Sequence, residues 1–243
     1  MVKLQSSSTA KLGDARVNEH GQYKSLLVGI FLVFIVPYLV GAVAFSLWSF
    51  PLWVQWVQTA ILLGGLPIAA LAWAHKITGL PLGYLGLKKP LHYSNARILL
   101  ESAGIFILYQ AMLFIAWPIV SVILRSVDYA DAGEVSTVSR LDAGAEKILE
   151  GVVLSIQSPV LEEIFLRAIL FYCMHEKGWP TRTWKYIASS GLLFGLGHAP
   201  AGLAWIVFFT LIGFIDAYIF SRTRTVISLI IAHGAYNFSV LFF

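Results

Sequence analysis

Glu162-Glu163-x-x-x-Arg167, Phe194-x-x-x-His198 and His233-x-x-x-Asn237 follow one another in the C-terminal part of the chain, each inside an apolar stretch. Residues four apart share one face of a helix, so Glu163 and Arg167 can form an ion pair. Glu162, turned about 100° away, is then left for chemistry. His233 and Asn237 can aim two hydrogen-bonding groups at one spot, and Phe194 can lie beneath the His198 imidazole. A carboxylate and a histidine in a dry site can hold and deprotonate a water. The other histidine and the asparagine can stabilise the oxyanion formed when that water attacks a carbonyl. Taken singly, a Glu–Arg pair also locks helices together, and a histidine in a helix is usually a satisfied core residue. The three spacings together favour the catalytic reading. His20, His75, His92 and His175 sit in polar segments and read as solvated side chains.

These groups need helices that cross a bilayer. The chain has 243 residues, 58% hydrophobic and 12% charged, with mean hydropathy +0.77. A soluble domain carries about 25% charged residues, and a disordered chain is poor in apolar ones. Both classes are excluded, and the expected fold is an all-α polytopic membrane helical bundle. A span takes about 20 mostly apolar residues. Such runs are Leu26–Trp48, Leu52–Ala74, Ile98–Leu124, Leu149–Met174, Trp184–Ala199, Gly202–Phe220 and Val226–Phe243, about seven transmembrane helices by the same criterion. The fifth is short and rich in glycine, suited to packing within the bundle or against a second copy. Residues 1–25 read as a polar tail, 26–148 as N-terminal helices with an acidic loop at 126–148, and 149–243 as a catalytic helical core. Ala42-Val43-Ala44 resembles a signal-cleavage site, but the apolar run is too long for a signal core, so a retained helix is expected.

Loop charges give the orientation. With the N-terminus in the cytoplasm, the inner segments hold Lys3, Lys11, Arg16 and Lys24, then Lys76, Lys88, Lys89 and Arg97. Lys177, Arg182 and Lys185 follow, then Arg222 and Arg224, against only Arg125, Arg140 and Lys147 outside. The expected location is therefore a plasma or inner membrane, the chain crossing it several times. The basic residues are dispersed between apolar blocks, which argues against nucleic acid as a partner. The single cysteine, Cys173, excludes an intramolecular disulfide and reads as a small apolar filler near a helix end. At about 1.5 Å per residue, Glu163, His198, His233 and Asn237 lie at compatible depths, about 10 to 20 Å from the inner helix ends. They can meet in one cavity open to the cytoplasmic side.

The EExxxR, FxxxH and HxxxN motifs, in this order in late helices, resemble the CAAX-protease and bacteriocin-processing family of intramembrane proteases, also called type II CAAX prenyl endopeptidase or Abi. The resemblance covers about Leu149–Phe243, and Leu85-Gly86-Leu87-Lys88-Lys89-Pro90 is similar to a segment often found upstream. It implies an endopeptidase cutting a membrane-associated or lipid-modified polypeptide. By motif position, Glu162 would be the general base with His198 positioning the water. Glu163 and Arg167 would support the site, and His233 with Asn237 would line the oxyanion hole. Ala168 and Leu166 depart from the usual glycine and phenylalanine, and Asp216 stands where small residues are typical. Asp216 is read as a polar residue near the membrane interface rather than an additional site group.

No cofactor is expected. The alternative is zinc at Glu162, His198 and His233, although these do not form the HExxH helix of soluble metalloproteases. Two other functions compete with hydrolysis. A non-catalytic binding or immunity protein on the same fold would keep its function without these side chains. A proton-coupled transporter would also place Glu and His within the membrane, but no inverted repeat or pair of broken helices supports it.

Overall fold

The computed structural model describes Ala72, Gly86, Leu87, residues 93–124, Gly151, and residues 153–175 and 183–242. The expected tail 1–25, the spans Leu26–Trp48 and Leu52–Ala74 (Ala72 apart), the loop 126–148 and the Cys173 side chain lie outside the described residues. Among the described residues every regular element is helical.

Helix α1, Asn95–Leu124, starts where the Ser94 hydroxyl accepts from the Arg97 N–H at 3.1 Å. This serine cap satisfies one of the first unpaired donors of the helix. Most of its apolar side chains point outward, with Phe114 74% and Val122 67% exposed. In water such a surface would be costly; against lipid it is the ordinary exterior. Helix α2 runs through 153–175 in four consecutive segments: Val153–Gln157, Ser158–Glu163, Ile164–Ile169 and Leu170–His175. Helix α3 is Thr183–Gly197, followed by a 3-10 turn at Ala199–Ala201. Helices α4, Leu203–Thr223, and α5, Ile227–Phe242, complete the described chain. Helices α1 and α4 are long and apolar enough to cross a membrane, each with mean hydropathy 2.1. The α3 helix, at 15 residues, spans about 22 Å. Its C-terminus then turns sharply at Gly202, whose φ of +102° a side chain would resist.

Among the described residues, wide π turns precede the internal prolines of two helices. Met112–Ala116 precedes Pro118 in α1, and Val153–Gln157 precedes Pro159 in α2. Pro159 has no N–H to give to the carbonyl of Ser155, four residues back, or of Leu154, five back. Helix α5 packs against both carbonyls and hydrogen-bonds one of them. Asn237 Nδ2 donates to the Leu154 carbonyl at 2.9 Å. Gly234 lies so close that an added Cβ would sit 2.3 Å from the Ser155 carbonyl oxygen.

Helices α3 and α4 pack nearly backbone to backbone. A Cβ added to Gly195 would meet Thr210 Oγ1 at 1.9 Å, and one on Gly213 would meet the Gly191 Cα at 2.7 Å. Gly191 and Gly195 of the fifth expected span are thus used within the bundle, where small residues let helices approach closely. At the opposite end, the Gly86 carbonyl accepts from Val226 N at 3.0 Å and Thr225 Oγ1 at 3.1 Å, tying Gly86 to the α4–α5 connection.

Candidate active site

The site is assembled around α2. Its third segment, Ile164–Ile169, is a π turn, and its carbonyls are taken by α3: Ser190 Oγ donates to Leu166 O at 2.8 Å, and Tyr186 Oη to Arg167 O at 3.2 Å. This fastens the backbone beneath Arg167. The guanidinium is fully buried and spreads its donors over three elements. Nε meets Glu163 Oε2 at 3.1 Å, Nη1 donates to Ser190 Oγ at 2.9 Å, and Nη2 meets Asp216 Oδ2 at 3.1 Å. Tyr109 on α1 donates to the other Asp216 oxygen at 2.5 Å.

The expected Glu163–Arg167 ion pair is present. The expectation for Asp216 is corrected: it is completely buried and bonded to Arg167 and Tyr109, not a polar residue at the interface. The reason is its length and charge. A carboxylate on α4 reaches the second edge of a guanidinium that Glu163 alone does not satisfy, and a buried charge is tolerated when paired and hydrogen-bonded.

The two adjacent glutamates are distinguished by what they touch. Glu163 is committed, with Oε2 on Arg167 and Oε1 at 3.0 Å from His233 Nδ1. Glu162 is 22% exposed; its Oε1 accepts a short hydrogen bond from the Ser158 hydroxyl, one turn earlier. Its Oε2 is buried without a hydrogen-bond partner, and His233 Nε2 lies 3.9 Å away. That separation exceeds a direct hydrogen bond and suits a bridging water.

His198 ends α3. Its Nδ1 lies 2.9 Å from the Phe194 carbonyl, which can only accept, so Nδ1 carries the proton and Nε2 of the neutral ring is an acceptor. Phe194 also lies edge-on to both histidines, with ring centroids 5.0 Å from His198 and 5.8 Å from His233. The ring that lies flat on His198 is Phe209 of α4, at 3.7 Å and 21°. Phe194 was the expected wall beneath this imidazole; it supplies the edge and the carbonyl, and Phe209 supplies the face. Trp205 stacks on Phe209, and Trp117 of α1 on Trp205, so an aromatic row runs from His198 to α1.

Glu162, Glu163, Arg167 and His233 therefore form one connected group, with His198 joined to it through Phe194. Asn237 stands apart in its contacts, with one amide hydrogen given to the Leu154 carbonyl. Sequence reasoning missed Ser158, Tyr109 and Ser190. A serine four residues before a glutamate was a readable signal for the first; nothing in the sequence pointed to the other two. For zinc, the described residues contain no gathering of three or more His, Cys, Asp or Glu side chains suited to a metal ion.

Among the described residues, two helices long and apolar enough to span a bilayer and a buried carboxylate–histidine cluster within the helical bundle are consistent with a membrane-helix protein. Residues 144–239 match the model of the family described as type II CAAX prenyl endopeptidase Rce1-like, and all the motif residues lie within the matched stretch. The chain is also 35% identical over 86 residues to the "Putative membrane peptidase YdiL" of Bacillus subtilis (strain 168). That match covers 35% of this chain and 33% of the relative, so the chain spans about a third of the relative's length in the aligned region. No solved structure matches.

Proposed function

We propose that the chain is an intramembrane endopeptidase that hydrolyses a peptide bond in a membrane-associated or lipid-modified polypeptide, using water activated by Glu162 and His198 without a metal. The observation that carries this reading is the contrast between the glutamates. Glu163 has Arg167 and His233 close against its two oxygens, at 3.1 and 3.0 Å, whereas the buried Glu162 Oε2 has only the His233 imidazole, 3.9 Å away. The family domain and the peptidase relative support the same chemistry.

In this mechanism the water bound at Glu162 Oε2, beside His233 Nε2, also reaches His198 Nε2. Glu162 removes one proton as the water oxygen bonds to the scissile carbonyl carbon, and His198 Nε2 accepts a hydrogen bond from the other hydrogen. Ser158 holds the Glu162 carboxylate while this happens. His233 has its Nδ1 on Glu163, so it donates to the developing oxyanion from Nε2 as the imidazolium. Asn237 contributes its second amide hydrogen. Collapse of the tetrahedral intermediate breaks the C–N bond, and the proton on Glu162 passes to the leaving amine. The charge bias of the loops supports several crossings with the N-terminus in the cytoplasm, in a plasma or inner membrane.

The test compares protein termini in membranes of cells carrying wild type or Glu162→Gln at equal abundance. Mature termini should vanish and longer precursors accumulate in the variant. Unchanged termini would sink the hydrolytic reading and leave a non-catalytic binding role on the same fold.

A further inference from the structure

Asp216 touches neither Glu162 nor either histidine, yet it completes a continuous path to them. Tyr109 Oη donates to Asp216 Oδ1 at 2.5 Å, and Asp216 Oδ2 meets Arg167 Nη2 at 3.1 Å. Arg167 Nε meets Glu163 Oε2 at 3.1 Å, and Glu163 Oε1 meets His233 Nδ1 at 3.0 Å. His233 Nε2 then faces Glu162 Oε2. Tyr109, Glu163, Arg167 and Asp216 are 0 to 1% exposed.

We propose that Asp216, itself held by Tyr109, is a positioning residue that sets the orientation of His233 through Arg167 and Glu163. This inference rests on the hydrolytic reading of Glu162 and His233.

The argument is geometric. A guanidinium is a rigid planar fork with no internal rotation between its donors. Ser190 on Nη1 and Asp216 on Nη2 fix its plane at two corners, which holds the Nε edge in ion-pair contact with Glu163 Oε2 at 3.1 Å. With that oxygen engaged, Glu163 turns Oε1 to His233 Nδ1. A ring fixed at Nδ1 aims Nε2, across the imidazole, at the space beside Glu162.

Without Asp216, one edge of the fork loses its partner and the plane can rotate about the remaining contact with Ser190. The displacement is passed to His233. Stability alone is a weak reason for the arrangement, because buried ion clusters are often no more stable than apolar packing of the same volume. A requirement for orientation gives Asp216 and Tyr109 a use that packing does not. It also makes α1, which supplies none of the motif residues, part of the machinery.

The test uses the full-length chain, purified in detergent micelles. Its probe is a synthetic peptide spanning the junction that accumulates uncut in Glu162→Gln membranes. Asp216→Asn keeps the shape and removes the charge; kcat should fall about 10²-fold, the scale of a misplacement near 1 Å, while KM stays within about twofold, since bound substrate is not touched. Tyr109→Phe removes one hydroxyl and should lower kcat less, again with KM retained. A Glu162→Gln enzyme that still cleaves overturns the hydrolytic reading and this inference with it. An inactive Glu162→Gln beside a folded Asp216→Asn with wild-type kcat overturns the inference alone. Should Asp216→Asn fail to fold, Tyr109→Phe decides: reduced kcat at constant KM supports the positioning role, and wild-type kcat overturns it.

Discussion

The Nδ1 of His233 lies 3.0 Å from Oε1 of Glu163, a carboxylate with no exposure to solvent. That contact separates the roles of two neighbouring glutamates that look alike in sequence. Glu163 is used up in holding Arg167 and His233. Glu162, one residue earlier and about 100° around the helix, keeps a buried oxygen with no hydrogen bond, the one to which we assign the water. The predictions below follow from this division and from the packing around it.

Removing Arg167 should cost more than removing any neighbour. Arg167→Met leaves Glu163 and Asp216 buried with their shared cation gone, a loss of about 3–5 kcal/mol for a broken buried pair. Thermal unfolding in detergent should show a much lower midpoint, and a midpoint equal to wild type would refute this weight on the ion network.

The α3–α4 contact should discriminate between two glycines two residues apart. Gly195→Ala drives a methyl into Thr210 and the Ile206 carbonyl, whereas a methyl at Gly197 meets nothing within 4 Å. The first should destabilise by about 1–3 kcal/mol, and the second should be neutral or gain up to about 1 kcal/mol from helix propensity. Equal midpoints for the two variants would contradict the close packing.

His198 depends on Phe209 for its orientation. His198→Ala should lower kcat by about 10²- to 10⁴-fold, the usual range for a proton-handling group. Phe209→Leu keeps an apolar side chain but loses the flat ring, and on the order of a 10-fold fall in kcat is expected from a mispositioned imidazole. Steady-state kinetics on the accumulated-junction peptide provides the measurement; full activity in Phe209→Leu would leave the stacking without a role.

Chelation separates the two forms of water activation. Cleavage by the purified chain should persist after treatment with 1,10-phenanthroline. Loss of activity that zinc restores would instead bring Glu162, His198 and His233 together as ligands and replace the metal-free mechanism.

Much of the site was legible because a helix imposes its own spacing. Glu163 and Arg167 meet as their four-residue interval requires, and the depth estimates put Glu163 and His233 at compatible levels. Local geometry also explains why Phe194 stays close to His198. Where partners come from another helix the spacing argument fails. Phe209 lies flat on His198 only because α3 and α4 approach at Gly195 and Gly213, and no interval within one helix predicts that ring. Asn237 was read as a partner of His233 in the oxyanion hole; Pro159, far away in the chain, leaves the Leu154 carbonyl that engages one of its amide hydrogens.

The sequence by itself pointed to the membrane-helix class and the pairing of Glu163 with Arg167, since these follow from hydropathy and helical periodicity. Only the tertiary structure decided the fate of Asp216. Near the end of an apolar run it reads as an interfacial residue, because sequence measures distance along one helix. Its burial was set by neighbours on α1, α2 and α3, and a charge inside a bundle takes its meaning from the groups that other helices bring to it.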